Sequence, residues 1–186
     1  MSAPQRGVRV VLDDTGAALA DFYRLHWLTR RRQGVPVQPV KFFKNLVAGF
    51  FPAGEGFFLL ACQEDTCLAA ALFLRWNDVL TYKYGASDPA GLPLRPNDLI
   101  FWEAIRWGCA HGCRSLDLGR TDLDNRGLRD FKTRWGAEET ALVYTYFPQA
   151  PDPAESRLRR AASRAIRQLP PWFCRALGET LYRYAA

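Results

Sequence analysis

Apolar and polar positions change period several times along the chain, and each change marks an element. The run VRVVL, Val8 to Leu12, reads as a first strand. Thr15 is then placed to cap a helical stretch whose apolar side carries Leu19, Phe22 and Tyr23. That helix closes on Arg30-Arg31-Arg32 and Gly34, cations that suit the negative end of a helix dipole. Pro36 and Pro39 restart the chain into a second short helix around Lys41 to Phe50. Three β-rich segments follow: GFFLLACQ (Gly56 to Gln63), TCLAAALFLRW (Thr66 to Trp76) and VLTYKYGAS (Val79 to Ser87). Glu64-Asp65 and Asn77-Asp78 between them read as hairpin loops, which gives an antiparallel meander. DPAGLPLRP interrupts the pattern, and a strongly apolar helix then runs from about Asn97 to His111, stopped by Gly112. SLDLG reads as a short buried strand, GLRDFKTRW as a short helix and ALVYTYFP as a last strand. The order β-α-α-β-β-β-α-β-α-β is that of an α/β (α+β) domain: a mixed, mostly antiparallel sheet flanked by helices.

Composition sharpens this picture only in places. At 186 residues, with 48% hydrophobic and 13% aromatic positions, the chain can bury roughly 70% of its unfolded surface in one domain. The first residues lack the apolar core of a signal peptide, and no apolar run approaches the ~18 residues of a membrane span, so a cytoplasmic protein is expected. The net charge of +6 is uneven: residues 151–186 hold seven arginines against Asp152, Glu155 and Glu179, leaving the body near neutral. The reading therefore divides the chain into a domain at 1–150 and a basic amphipathic helical tail at 151–186. Five cysteines at irregular spacing give no metal framework; Cys109 and Cys113 bracket His111, but no second ligand pair follows. Cys62 and Cys67 should face each other across a hairpin, as reduced thiols.

Two stretches carry candidate chemistry. In RPNDLIFWEAI, Asn97 is a helix N-cap, and the free N–H groups there, with Arg95, would suit an anion. Pro96 without an N–H and Asp98 in the first turn suit an ordinary capped helix start equally well. In LDLGRTDLDNRGLRDFKTRWG, a helical wheel places Leu128, Phe131 and Trp135 on one side, and Lys132, four residues after Leu128, joins them. Arg126, Arg129, Asp130 and Arg134 take the outward side. A lysine on the inward stripe either snorkels to water or serves as a site cation for a carbonyl, phosphate or carboxylate. Arg120, at the carboxyl end of a strand, points toward the crevice where open α/β sheets bind ligands.

The segment order resembles the GNAT fold, and the motifs resemble the FemAB-like transferases, in particular the subgroup associated with exosortase/PEP-CTERM systems. The resemblance rests on TRRRQGVPVQPVKFF, YKYGAS, RPNDLIFWEAI, LDLGRT, FKTRWGAE, LVYTYF and RQLPPWFCRALGETLYR, covering roughly Tyr23 to the C-terminus. It implies transfer of an acyl or aminoacyl group onto an amine, often on a cell-envelope precursor. The family's Phe-Lys pair and following aromatic-glycine fall on Phe131, Lys132, Trp135 and Gly136, which puts Lys132 near the acyl carbonyl or phosphate. Its Gly-Arg-Ser/Thr strand end falls on Gly119, Arg120 and Thr121. FemAB-like proteins contain two such halves, and this chain has length for the second alone. RPNDLI also stands where acetyl-CoA enzymes of the fold carry a Gln/Arg-x-x-Gly-x-Gly/Ala loop. That difference argues against acyl-CoA and leaves the donor open between acyl-CoA and aminoacyl-tRNA, tRNA entering only as donor; no resident cofactor or metal is implied.

Acyl transfer needs a neutral amine, a stabilised oxyanion and a protonated leaving group. Lys132 and backbone N–H groups near Tyr84 and Gly85 are candidates for the oxyanion, Tyr84 for the leaving-group proton, and Asp122 and Asp124 for assisting deprotonation. Arg95, Asn97, Arg120, Thr121, Asn125, Phe131 and Trp135 are candidates for binding. No Ser-His-Asp or Cys-His pattern is readable; His26 reads as packing and His111 as helix capping. Rival readings are an acyl-CoA-dependent N-acetyltransferase and a non-catalytic module using the same cleft. In the tail, Leu158, Ala162, Ala165, Ile166 and Leu169 form one helical face with arginines around it. Such a helix either packs on the domain or contacts an anionic membrane on the inner face. A homodimer would be the simplest way to supply a second half in trans.

Overall fold

The computed structural model describes residues 7–147 and 153–168, together with Gly178 and Tyr182. Its centre is a five-stranded sheet in sequential order, β1 (Val8–Asp13), β2 (Gly56–Gln63), β3 (Thr66–Trp76), β4 (Val79–Ser87) and β5 (Ser115–Asp117). The first four strands are antiparallel and β5 joins β4 in parallel. Both hairpins turn where the sequence places them, with Glu64 and Asn77 taking positive φ. Cys62 and Cys67 are paired across the first, both free thiols.

The helices divide between the two faces. α1 (Leu19–Gln33) and α2 (Val40–Phe50) cover one face, burying Phe22, Leu25 and Phe43 against Phe58, Leu60 and Leu72. α3 (Pro96–Ala110) covers the other with Ile100 and Ala104 against Phe57, Leu59 and Phe73. Strands covered on both faces explain why β2 and β3 read as continuous apolar runs rather than as alternation. Polar ties fix α1 to the sheet: Arg24 donates to the Cys67 carbonyl at 2.9 Å, and Thr29 bonds the backbone of Ser87.

Four expectations need correction. Thr15 does not cap α1; the Asp13 carboxylate accepts from the N–H of Thr15 at 3.0 Å and of Ala18 at 2.8 Å, so the acid at the end of β1 organises the turn. Asn97 does not cap α3, because Arg95 occupies the cap position with φ 51° and the helix begins at Pro96. β5 is not buried: three residues long and paired only to β4 among the described residues, it exposes Ser115 and Asp117. Residues 140–147 form no strand and lie largely exposed.

α4 (Arg126–Arg134) follows β5, capped by the Asn125 side chain, which accepts from the Leu128 N–H at 3.2 Å. α5 (Pro153–Gln168) sits against α1 through buried Ile166, and Arg167 donates to the Gln33 carbonyl at 3.4 Å. Ala162 and Ala165, expected on its apolar face, are exposed. Trp172 and Leu169 lie outside the described residues, as does the Leu158 side chain. No helix among the described residues is long and apolar enough to cross a membrane.

Candidate functional site

The sheet opens between β4 and β5. Their pairing runs only from Val79/Ser115 to Thr81/Asp117, whereas β4 continues beside β3 to Ser87. Two local devices make the opening. The Asp117 carboxylate accepts from the Gly119 N–H at 2.7 Å, a turn that leads the chain away after three strand residues. Gly119 can follow it because it adopts φ 69°. On β4, Phe73 pairs with Tyr82 and Leu72 with Tyr84, so Lys83 is a bulge that bends the strand. Beyond Thr81, the β5-facing edge of β4 is thus left unpaired among the described residues.

The bulge also sends two tyrosines to opposite faces. Tyr82 packs on Phe73 and Phe101 on the α3 side. Its hydroxyl lies over the α-carbon of Gly85, where any side chain would collide with it, and burial pushes its pKa up to about 12. Tyr84 joins the rings of His26, Phe42 and Phe43 on the α1/α2 side. Burial raises its pKa too, with Tyr182 adding to the effect and Arg30 and the Gln38 side chain opposing it. Tyr84 and Lys132 therefore do not form the single cluster expected of them.

α4 lies beside the opening, against α3. Phe131 meets Phe101 edge-on at 5.2 Å, and Trp135 stacks on the same ring at 6.0 Å. This contact aims Lys132 inward, and its ammonium donates to the Gly119 carbonyl at 2.6 Å. Burial holds that ammonium below the usual lysine range, while Asp117 and Glu139 oppose the shift. The inward lysine is thus a cation fixed at the point where β5 leaves β4.

Around it, Arg120 donates to the Tyr144 hydroxyl at 2.9 Å and lies 3.9 Å from the Asp122 carboxylate. Thr121, half-buried, has a buried hydroxyl without a partner. Arg129 grips Glu139 through two 2.7 Å bonds and so anchors the segment after α4. Asp122 and Asp124 are exposed on the turn before α4. At the start of α3, where an anion site is expected, Arg95 pairs with Asp98 at 2.8 Å and Pro96 offers no N–H, both of which compete with an anion. Asn97 lies in the first turn of α3, next to that pair.

Residues 2–133 match the family model described as an acetyltransferase (GNAT) domain. The chain belongs to the GNAT acetyltransferase family. None of the curated proteins matches it in sequence. Among solved structures, the chain is similar to FemX with 19% identity and a TM-score of 0.64, covering 71% of this chain and 50% of that one. It is similar to the aminoglycoside acetyltransferase AAC(6')-Iy, bound to a bisubstrate analogue of CoA and acetylneamine, with 18% identity and a TM-score of 0.59, covering 78% and 100%. An aminoglycoside acetyltransferase from an uncultured soil metagenomic sample, in complex with sisomicin, gives 10% identity and a TM-score of 0.61 over 77% and 97%. This GNAT chain thus spans about half the length of FemX and the full length of AAC(6')-Iy.

Helical spacing in the sequence anticipates Lys132 beside Phe131 and Trp135 in this GNAT domain, but not the contacts of Asp117, Tyr82 and Tyr144. The Asp-x-Gly spacing at 117–119 was the available signal for the first; Tyr82 depends on the bulge, and Tyr144 on a contact across 24 residues.

Proposed function

We propose that this GNAT domain transfers an acyl or aminoacyl group from an activated donor onto an amine, with the reacting carbonyl lying in the opening between β4 and β5. The observation that carries this reading is the Lys132 ammonium, fixed at the Gly119 carbonyl where an unpaired strand edge begins. A carbonyl laid along that edge would meet backbone N–H groups of β4 and the ammonium together. Both favour the oxyanion that forms when an amine attacks. The ammonium is partly buried and already oriented by the Gly119 carbonyl, so less reorganisation accompanies the step.

Arg120 and Thr121 are assigned to donor or acceptor binding beside Lys132, with Asp122 orienting Arg120 and Asp124 lining the same turn. Asn125, Phe131 and Trp135 hold α4 in place rather than touch the reacting atoms. Tyr84 lies on the α1/α2 side, and we assign that side, with its protonated phenol, to binding the acceptor; the proton that the attacking amine sheds goes to the departing group. The tied Arg95–Asp98 pair at the start of α3 argues for a donor whose phosphates are not gripped there, which favours a FemAB-like aminoacyl donor. The likeness to a CoA-bound aminoglycoside acetyltransferase over that protein's full length favours acyl-CoA as the second reading. The envelope setting, a cytoplasmic location and an anionic membrane contact through exposed Arg164 of α5 complete the proposal.

The test is turnover with acetyl-CoA and with an aminoacyl-tRNA, each offered an amine acceptor, for the wild type and Lys132→Met. One donor should support transfer, and the variant should lose roughly 100-fold or more of it, the scale of one lost oxyanion donor, without loss of fold. Full turnover by Lys132→Met would remove the lysine from the chemistry.

A further inference from the structure

Among the described residues, Cys62 and Cys67 are two thiols that the sheet sets directly opposite each other. They lie on β2 and β3, one pair in from the two-residue loop Glu64-Asp65. Such a loop is closed by a hydrogen-bonded pair, here Gln63 and Thr66. The alternation of an antiparallel ladder then makes Cys62 and Cys67 the non-hydrogen-bonded pair beside it. Residues so placed have α-carbons about 4.5 Å apart and side chains on one face, within the roughly 4.4–6.8 Å that a disulfide spans.

The two thiols differ in access. Cys67 is 4% exposed, with its carbonyl held by Arg24 of α1 and its thiol donating to the Ala69 carbonyl at 3.4 Å. Burial pushes its pKa up to about 12, and the neighbouring Cys62 thiol adds to the effect. Cys62 is half-buried and is the member of the pair that a solute reaches. An accessible thiol backed by a sheltered one is the arrangement of a reacting and a resolving cysteine.

We propose that Cys62 and Cys67 are a reversible oxidation site whose substrate is a hydroperoxide, ROOH. The Cys62 sulfur takes one peroxide oxygen as the O–O bond breaks, and its thiol proton ends on the alcohol, giving Cys62–SOH and ROH. The Cys67 sulfur then attacks the Cys62 sulfur. The S–O bond breaks, and the hydroxyl leaves as water with the Cys67 proton. ROOH is thereby reduced by two electrons, and two thiols are oxidised to one disulfide. The second step is the slower, because Cys67 is seldom ionised, but its facing position makes the step intramolecular. The cross-link joins strands that are already paired, so it forms without rearranging the sheet, and it stands independently of the transferase reading.

The experiment treats the reduced full chain with tert-butyl hydroperoxide, alkylates the remaining thiols with N-ethylmaleimide in denaturant, and digests with trypsin. Cys62 and Cys67 share the peptide 45–75, whereas Cys109 and Cys113 share 107–114. Peptide 45–75 should become lighter by two hydrogens and resist alkylation, and dithiothreitol should restore it. Cys67→Ser should instead hold Cys62 as a sulfenic acid that dimedone labels, and Cys62→Ser should leave Cys67 reduced. Serine is close in size to cysteine, and unchanged circular dichroism checks the fold; the wild-type result needs no variant. Full alkylation of both cysteines after oxidation of the wild type would overturn the proposal. So would a disulfide from either one to a different cysteine, or equal dimedone labelling of Cys62 in the wild type and Cys67→Ser.

Discussion

His26 offers a perturbation whose size can be worked from the structure. Its ring is buried on α1, stacked on Phe22 at 5.5 Å and edge-on to Phe43 at 4.8 Å. Nε2 lies 2.8 Å from the Gln38 side-chain oxygen and Nδ1 has no partner. Burial lowers its pKa to about 4 from an ordinary 6.5, the Gln38 bond opposing and the Arg30 charge assisting. The unfolded chain takes up a proton below 6.5 that the folded chain refuses until about 4. Stability is therefore complete above 6.5, falls as the pH drops toward 4, and on this residue's account falls no further. A pKa gap of roughly 2.5 corresponds to about 3 kcal/mol across that window. Asp13 also contributes acid sensitivity, since its hydrogen bonds depress its carboxyl despite burial, but that loss begins only near and below 3.8. His26→Phe combined with Gln38→Leu removes the titrating ring without leaving the amide unpaired. Urea unfolding at several pH values from about 7.5 to about 4.5 should show the wild type losing most of that 3 kcal/mol while the double variant loses far less. Parallel stability curves for the two proteins would refute a buried neutral histidine, whatever their vertical offset.

Two further substitutions probe the site. Arg120→Lys should weaken binding of the donor or acceptor several-fold by calorimetry, because lysine lacks the planar fork that meets an anion or the Tyr144 hydroxyl; unchanged affinity would take Arg120 out of the site. Gly85→Ala should destabilise the domain by about 1–3 kcal/mol in thermal unfolding, since its β-carbon would meet the Tyr82 hydroxyl. An unchanged melting temperature would show that the hydroxyl is not fixed there.

The meander was legible almost to the residue because its signals are local: apolar runs bounded by Glu64-Asp65 and Asn77-Asp78. The stripe of α4 was legible in part: Phe131 and Trp135 both reach Phe101, but Leu128, expected beside them, is exposed and no residue of the helix is buried. What Lys132 bonds was not, because Gly119 lies across a turn whose shape depends on Asp117. Alternation along β4 would place Tyr82 and Tyr84 on one face, and the bulge at Lys83 breaks that parity. Residues 140–147 show the remaining limit: strand pattern reports a demand for burial, not which surface supplies it.

The central claim is that an acyl donor lies along the open edge of β4 beside Lys132. Hydrogen exchange at residues 82–86 and 117–121 measures this directly, with and without a non-transferable acyl-CoA analogue and a 3′-aminoacyl-adenosine analogue. One of the two should slow exchange in both segments, and Lys132→Met should reduce the effect. Unchanged exchange there with both ligands, or protection confined to the 250 Å³ hollow of Val10, Leu59 and Trp107 between α3 and the β1 edge of the sheet, would contradict it.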